Sequence, residues 1–526
     1  MEDHIVGSPP IAQLDRDVLW RIFAINAVAR VEELPEGVYT YDDLSRWSAL
    51  TTTRYTSQVC VSWRQLIIGS SSLWGNVIDL QFLNQKSDTW RNEVLLRTGN
   101  SELSIIGSIL RVDDRGSAGF FQLLLKNHWT RIVSVNVTIH SFDTRKWPDD
   151  AWSALERPAP NLRSFSITFD DEPHRFSSPG FSLFANHAPL LTRFSQNRAP
   201  INHKASWLAG LTSLELNSVP TLSILLDMCS HLHSLRALQL FFPFTGPELG
   251  NQLRSVNIPS LTTLFIRGAF DIALEFLDNI TTAPGCSLRL SGDPANTVIQ
   301  LSPAQRIIGR FANSYFSHHS STSIYLKFTP YTIGLEDFSD EFEVSIRFQS
   351  NIPTTALTLC SAKLLPAYFS QVKMLRLYIE GLLTADPLKS LFREFLITMT
   401  ALEKLRITTD GLNLFITSFS RDTQERVFLH LKTIILDPYH RDMHSRELPD
   451  STTLIKDFLD MRRKMGFPIE ILDLTKWNTL SKVPMDIKKL EEFSGLKVVW
   501  RESSDVGTKR RKYVCGSGRL QELGLK

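Results

Sequence analysis

The stretch SQVCVSWRQLIIGSSSLWGNVIDL, residues 57–80, holds the clearest structural pattern in the chain. In it Val59, Trp63, Leu66 and Ile67 recur at i, i+4, i+7 and i+8, which places one aromatic and three aliphatic side chains on one stripe of an α-helix and predicts that the stripe is buried. Gly69 and the serines 70 to 72 end that helix. Leu73 and Trp74 then supply a second apolar anchor, before a strand-like Val77-Ile78-Asp79-Leu80.

Upstream, residues 13–23 repeat the helical spacing with Leu14, Val18, Leu19, Ile22 and Phe23, and Asp15 is placed to cap the helix start. Two short helices of this kind can cover each other's stripes. The pair resembles the F-box of the large fungal F-box-like family, whose first helix reads Leu-Pro-x-Glu-x-Leu-x-x-Ile-Phe and whose later helix reads Val-Cys-x-x-Trp-Arg, followed by a Leu-Trp anchor. Leu14, Asp17, Leu19, Ile22 and Phe23 match the first; Val59, Cys60, Trp63, Arg64, Leu73 and Trp74 match the second. The chain departs from the family at Asp15, where proline is usual, and in a long segment from about Arg30 to Thr53 between the two halves. The resemblance covers roughly the first 80 residues. It implies that Leu14, Asp17, Leu19, Ile22, Phe23, Val59, Trp63, Leu73 and Trp74 form a module that binds the Skp adaptor of a cullin-RING ubiquitin ligase.

The whole chain has 526 residues, enough for two or more cores or one extended solenoid. Its 57 Lys and Arg against 55 Asp and Glu leave a net charge of +2, so no global field for nucleic acid is expected. Cys60, Cys229, Cys286, Cys360 and Cys515 form no Cys-x-x-Cys pair, which argues against a zinc site or a disulfide framework and for a reducing compartment. No stretch approaches the ~18 consecutive apolar residues of a membrane span. These features predict a soluble cytoplasmic protein. The basic run Lys509-Arg510-Arg511-Lys512 reads as a solvated turn, with nuclear import as the alternative.

From about residue 100 the sequence returns to one phrase: an apolar residue, two variable positions, a second apolar residue, one variable position and a third apolar residue. This is the strand phrase of a leucine-rich repeat. It occurs as Leu162, Phe165, Ile167; Leu211, Leu214, Leu216; Leu235, Leu238, Leu240; and Leu261, Leu264, Ile266. It resumes as Val372, Leu375, Leu377; Leu402, Leu405, Ile407; Leu431, Ile434, Leu436; and Ile469, Leu472, Leu474. First positions are 24 and 26 residues apart from Leu211 to Leu261, and 30 and 29 apart from Val372 to Leu431. Helical patterns fill the connections, as in Leu388, Leu391, Phe392, Phe395 and in Ile455, Phe458, Leu459. Val133, Val135, Val137 and Ile139 read as an earlier strand. Between about 280 and 360, strand alternations around Leu288, Ile324 and Val344 fit no fixed repeat.

Chemistry is sparse. There is no glycine-rich phosphate turn and no nucleophile elbow, which a pair of doubly wound α/β domains, the alternative fold, would normally show. His231 and His233, and the adjacent His318 and His319, lack acidic or cysteine ligands at useful spacing and read as surface loops. The acidic groups Asp170-Asp171-Glu172 and Asp337, Asp340, Glu341 read as solvated turns, and Cys60 as a core thiol. No enzyme activity, cofactor or metal is expected.

In a repeat strand the alternating residues face away from the core. That rule gives the rows Ser164, Ser166, Thr168; Ser213, Glu215, Asn217; Ala237, Gln239, Phe241; Thr263, Phe265, Arg267; Met374, Arg376, Tyr378; and Lys404, Arg406, Thr408. Phe265, Arg267, Arg376, Tyr378, Lys404 and Arg406 are the candidates for binding a target protein. The expected architecture is α/β: a flexible residue 1–10 start, an F-box-like helical module over 11–80, an irregular leucine-rich-repeat solenoid or horseshoe over 81–500, and a C-terminal extension over 501–526. The function expected from the resemblance is substrate recognition in a Skp, cullin, F-box ligase. The alternative is a non-ligase protein-binding scaffold in which the F-box-like helices only cap the solenoid.

Overall fold

A computed structural model describes residues 14–27, 48–85, 87–109, 116–140, 152–169, 181–197, 201–217, 221–242, 253–293, 301–339, 341–348, 366–380, 386–419, 428–437, 451–476, 487–504 and 507–518. Most of the expected insertion at about residues 30–53, the residue 1–10 start and the Asp170-Asp171-Glu172 cluster lie outside these residues. The chain divides into two units, Met1–Gln239 and Leu240–Lys526.

In the first unit the helices Arg16–Asn26, Ala49–Thr56 and Val61–Ile68 pack on one another. Asp15 caps the first of them as its sequence predicts, accepting a hydrogen bond from the Asp17 N–H at 2.8 Å. Leu19, Phe23 and Ala27 form the buried stripe of this helix, and the Phe23 ring meets Trp63 edge-on with centroids 5.0 Å apart. The Leu73-Trp74 anchor lies wholly inside. Trp74 donates its indole N–H to the Ile67 carbonyl at 2.9 Å, meets Trp90 at 6.3 Å, and carries the Arg97 guanidinium 4.5 Å above its ring. These contacts bind the helical module to the helix Thr89–Arg97.

The strands of this unit are β1 (Ile78–Asp79), β2 (Leu103–Ile109), β3 (Ile132–Ile139), β4 (Ser164–Phe169), β5 (Arg193–Gln196) and β6 (Ser213–Leu216), each parallel to the next. A further strand, β7 (Ala237–Phe242), spans the unit boundary. The register aligns the apolar phrases: Phe165 pairs with Phe194, and Phe194 with Leu214. Leu191 before β5, with Phe194 and Gln196 on it, makes a further phrase hidden by its last residue, a glutamine that is nevertheless buried. Where the chain has few residues to spend between strands it uses 3-10 turns, Leu183–Asn186 and Ser206–Gly210, instead of α-helices. Phe184 fills the first of these turns and touches Trp129, Phe165, Phe194 and Trp207, with centroids 5.1 to 6.5 Å away. To get there Phe184, Ala185 and Asn186 adopt left-handed backbone, φ 57°, 47° and 59°. That conformation costs a side-chain-bearing residue ~1–2 kcal/mol, and the aromatic cluster offsets it.

The second unit contains the two-stranded parallel pair β8 (Val256–Ile258) and β10 (Ile280–Thr282), and a larger sheet. The larger sheet comprises β9 (Thr263–Ala269), β11 (Ser287–Asp293), β12 (Ser323–Thr329), β13 (Thr332–Asp337), β14 (Glu343–Arg347), β15 (Met374–Ile379), β16 (Lys404–Thr408), β17 (Thr433–Asp437), β18 (Ile471–Asp473), β19 (Lys497–Ser504) and β20 (Gly507–Val514). It begins at a close approach: Gly268 has φ +123°, and a Cβ there would lie 1.9 Å from the Phe242 carbonyl oxygen. From β15 to β19 the strands are parallel and in chain order. The helices Asp386–Ile397, Thr409–Phe419 and Ser451–Lys464 lie in their connections, with Phe392, Phe395, Ile455, Phe458 and Leu459 buried as their spacing predicts.

The region that fits no repeat has a definite cause. After the helix Leu301–His318, the strands β12, β13 and β14 form an antiparallel meander, so that β14 pairs with β11 and β12 pairs with β15. Spatial order therefore departs from chain order, and a fixed step cannot describe it. Asp337, expected in a solvated turn, is buried here and accepts hydrogen bonds from Tyr315, Ser321 and Ser339, which ties the long helix to the meander. The basic run Lys509–Lys512, also expected as a turn, lies within β20, antiparallel to β19. The structure is thus a mixed α/β fold with a large, mostly parallel sheet, and every apolar position of the eight phrases is buried. Among the described residues no helix is long and apolar enough to cross a membrane.

Ala185→Gly should stabilise the protein by roughly 0.5 to 1 kcal/mol in thermal or urea unfolding, because glycine takes left-handed backbone freely. An ordinary exposed alanine would lose stability on the same change. A second test concerns Asp79, whose carboxyl burial pushes up to about 6 despite hydrogen bonds from the Gln81 and Phe82 N–H groups. The folded state binds this proton more tightly than the unfolded chain, so stability falls as pH rises from about 4 to 6 and stays reduced above it. Asp79→Asn should therefore gain about 1 to 3 kcal/mol at pH 7.5, with the gain vanishing toward pH 4. An equal gain at both pH values would refute the assignment.

Candidate functional site

Two surfaces hold the candidate residues, one in each unit. On the helical module the expected single stripe is divided. Leu19 and Phe23 are buried, whereas Val18, Ile22 and Ile25 are 44%, 39% and 58% exposed, and Leu14 continues their line before the helix. On a helical projection Val18, Ile22 and Ile25 span about 60° beside the buried set, so the helix has two adjoining apolar faces. The helix Val61–Ile68 repeats the division: Leu66 and Ile67 are buried, Trp63 is half-buried, and Val61 and Ile68, seven residues apart, are exposed.

Val59 does not join the Trp63 stripe. Cys60 is extended, φ −154°, and acts as the residue before the helix, so Val59 falls outside helical spacing and is exposed. Cys60 is likewise a surface thiol instead of a core one. Its Sγ lies 3.2 Å from the Ser62 hydroxyl, and that hydrogen bond, with a second from the Trp63 N–H, lowers its pKa. Asp17 is exposed in the first helical turn. Leu73 and Trp74 are interior and act by positioning the helices. Tyr55, Val59, Val61 and Ile68 are further exposed apolar side chains of the module; the i, i+4, i+7 spacing of Val18, Ile22 and Ile25 is the sequence signal for the exposed stripe.

The outward residues of the second unit form continuous rows through strand register. One row runs Phe265, Arg289, Glu343, Glu336, Tyr325, Arg376, Arg406. Phe265 is half-buried against Phe241 at 5.8 Å and under the Arg289 guanidinium at 5.7 Å, while Arg267 is exposed with no ion pair among the described residues. These two stand five strand steps from Arg376, roughly 24 Å at about 4.8 Å per strand. The six predicted target-binding residues therefore separate into Phe265 with Arg267, and Arg376, Tyr378, Lys404 and Arg406.

The second group is built around an acid the sequence row did not include. Arg376 and Arg406 are directly opposite on β15 and β16, an unfavourable pairing of like charges by itself. Asp437, at the end of β17, lies against both: its two carboxylate oxygens accept from Arg406 Nε at 2.7 Å each, and Oδ2 is 3.4 Å from Arg376 Nε. The three side chains are 16% exposed at Arg406, 29% at Arg376 and 8% at Asp437. Arg376 Nε is buried and lacks hydrogen-bond geometry to any described atom despite its closeness to Asp437. The Arg376 guanidinium also lies 4.5 Å over the Tyr325 ring, and burial raises the pKa of the Tyr325 hydroxyl. Beside them Lys327 Nζ is 6.0 Å above the Tyr378 ring, and Lys404 is exposed without an acidic partner among the described residues.

Thr408 leaves the outward row. It is buried, donating to the Ile379 carbonyl at 2.8 Å and accepting from the Gly411 N–H at 3.3 Å, because the next helix starts at Thr409 and needs a cap. Asp437 extends its row by the same alternation rule, one residue beyond Leu436. In the first unit the outward residues are mostly small and uncharged; Glu215 accepts from Ser195 at 2.9 Å and from Gln239 at 3.3 Å. Among the described residues no three or more metal-ligating side chains come together. No protein-family model matches this chain, and no curated protein matches it.

Asp437→Asn should cost about 1 to 3 kcal/mol, since it leaves two half-buried guanidinium groups opposite each other with no compensating charge. The loss should shrink in the double variant Asp437→Asn with Arg406→Gln, measured as a thermodynamic cycle by urea unfolding. An additive cycle would show that the charges are not coupled.

Proposed function

We propose that this chain is a substrate-recognition subunit of a Skp, cullin, F-box ubiquitin ligase, with the helical module binding the Skp adaptor and the strand-rich remainder binding a target. On this reading the eight phrases are an irregular leucine-rich-repeat solenoid, and catalysis belongs to other subunits. The chain's contribution is proximity: holding a target beside the conjugating enzyme raises its effective concentration there.

The observation that carries the reading is the exposed apolar stripe of Leu14, Val18, Ile22 and Ile25, joined on the same module by Tyr55, Val59, Val61 and Ile68. Large apolar side chains gathered on so small a module mark an interaction surface. The stripe also bears on the capping alternative. A cap is held by its buried contacts, here the Leu73-Trp74 anchor, and has no use for a second apolar face left in water.

The test uses the full chain and purified Skp adaptor in calorimetry. Val18→Glu with Ile22→Glu should weaken adaptor binding by at least about 100-fold, since charges would enter the dry centre of the interface. The melting temperature should not fall, because both side chains are already exposed. Phe23→Ala, by contrast, should cost about 3 to 5 kcal/mol of module stability. Absence of binding by the folded wild-type chain at tens of micromolar would replace the ligase reading with the capping one.

A further inference from the structure

The C-terminal hairpin carries charges that its own strands do not balance. Residues 497–514 contain six Lys and Arg against Glu502 and Asp505, so this ribbon alone exceeds the net charge of +2 of the entire chain. Its root is fixed: Val498, Trp500 and Tyr513 are buried on one face, and the Tyr513 hydroxyl and the Gly516 N–H both donate to the Glu491 carboxylate. Farther out the same face opens, with Lys509 and Arg511 exposed. β18 accompanies β19 only as far as Val499, so beyond that residue both edges of the β19–β20 ribbon are unpaired among the described residues. Burial stops at Trp500 while the paired backbone continues to Ser504 and Gly507, a further run of about 13 Å at ~3.3 Å per residue.

The cations of the ribbon lie on both faces. Antiparallel register puts Arg501 directly opposite Arg510, with Lys512 two residues along on the same side, and none of the three has an ion pair among the described residues. On the other face Lys509 lies opposite Glu502, and Arg511 donates to that same carboxylate at 2.6 Å. Like charges directly opposite weaken a ladder. The comparable pair, Arg376 and Arg406, is bridged by Asp437, whereas Arg501 and Arg510 have no such acid. Closing an open edge to other strands needs cations on β20 alone and does not account for Arg501.

We infer that the β19–β20 ribbon binds the major groove of duplex DNA, with Arg501, Arg510 and Lys512 on one face and Lys509 and Arg511 on the other reaching the two phosphate backbones that flank the groove. That groove is about 12 Å wide and about 8.5 Å deep, and it admits a two-stranded β-ribbon. A ligand that encloses the ribbon engages the cations of both faces together, whereas an anionic membrane meets only one face. An acidic strand added beside β20 would lie two strand spacings, about 9.6 Å, from Arg501. A single nucleic-acid strand calls for exposed rings on which its bases stack, and Trp500 and Tyr513 are buried. The deep, narrow major groove of duplex RNA excludes such a ribbon. The contacts are to phosphate, so binding is largely independent of base sequence. The field is local, in keeping with a chain that is nearly neutral as a whole. The inference goes beyond the ligase reading and does not rest on it.

The experiment measures fluorescence anisotropy of the full chain, without adaptor, with a fluorescein-labelled DNA duplex of about 20 base pairs and mixed sequence, long enough to present a full turn of major groove. The matching RNA duplex, the DNA single strand and an acidic nonapeptide are the comparison probes, and flotation with phosphatidylserine vesicles is a further arm. The DNA duplex should bind at micromolar Kd or tighter in 50 mM salt, and at least about tenfold tighter than any other probe. Raising the salt to 200 mM should weaken it roughly 100- to 500-fold, the release of about four to five counterions. Lys509→Gln and Arg510→Gln, one on each face, should each weaken binding about tenfold and lower the salt slope by about one. Both side chains are exposed, so the melting temperature should not fall. The salt slope is read on the unaltered chain and stands even where a variant fails to fold. No binding of the DNA duplex by micromolar chain in 50 mM salt, equal or tighter binding of any other probe or of the vesicles, or indifference of either folded variant would each overturn the inference. Adaptor binding by the same preparation reports separately on the ligase reading, since Val18 and Ile22 belong to the other unit.

Discussion

A parallel strand cannot satisfy itself. Each edge carries N–H and C=O groups that need a neighbouring backbone, and one face carries side chains that need to leave water. Much of this chain is one answer to that constraint repeated with variations: an apolar residue in the turn before the strand, two more on its inward face, and a connection long enough to bring the next copy alongside. Register follows from burial, because a slip of one residue would turn Leu375, Leu405, Ile434 and Leu472 outward together. Once register is set, so are the outward rows. The opposition of Arg376 and Arg406 is a by-product of the alignment of Leu375 with Leu405, and Asp437 reaches them because Ile434 aligns with Leu405 in turn.

The core was legible in the sequence where the phrase was apolar throughout, and illegible where a single residue broke it. Gln196 concealed the strand at β5 because a buried glutamine and an exposed one look alike in one dimension. The meander concealed a larger stretch for a different reason: periodicity reports chain order, and β12 to β14 exchange chain order for spatial order. The helical module shows a third limit. Helical spacing places Leu14, Val18, Leu19, Ile22 and Phe23 within one broad apolar arc, but two narrower faces lie in that arc, and hydrophobicity alone cannot say which of them meets the rest of the chain. The candidate surface in the second unit was half legible. Its arginines follow from alternation, while their separation from Phe265 and Arg267 depends on four intervening strands.

Charge plays different parts in the two units. In the first, Arg97 lies on the Trp74 ring and Arg131 donates to the Ser101 carbonyl at 2.9 Å, so the cations serve packing. In the second, Lys509 to Lys512 lie on β20, beyond which no strand pairs among the described residues. A run of like charges along a strand repels a further strand of the same kind and ends the sheet's growth, a task that Lys-rich edges perform in many β proteins.

The meander also sets a timetable. One edge of β11 is taken by β9, but the other is filled by β14, whose residues follow the end of β11 by about 50 positions. At ribosomal rates of about 5 to 20 residues per second the wait is roughly 3 to 10 seconds. During it, β11 presents a bare edge while the amphipathic helix Leu301–His318 is made and has already emerged. The β12–β13–β14 hairpins, being local, can assemble before they dock, so the sheet is completed by delivery of a preformed piece instead of strand-by-strand addition. Co-translational growth of the second unit therefore includes an interval, between synthesis of residues 293 and 343, in which one edge of β11 is open to wrong strand partners.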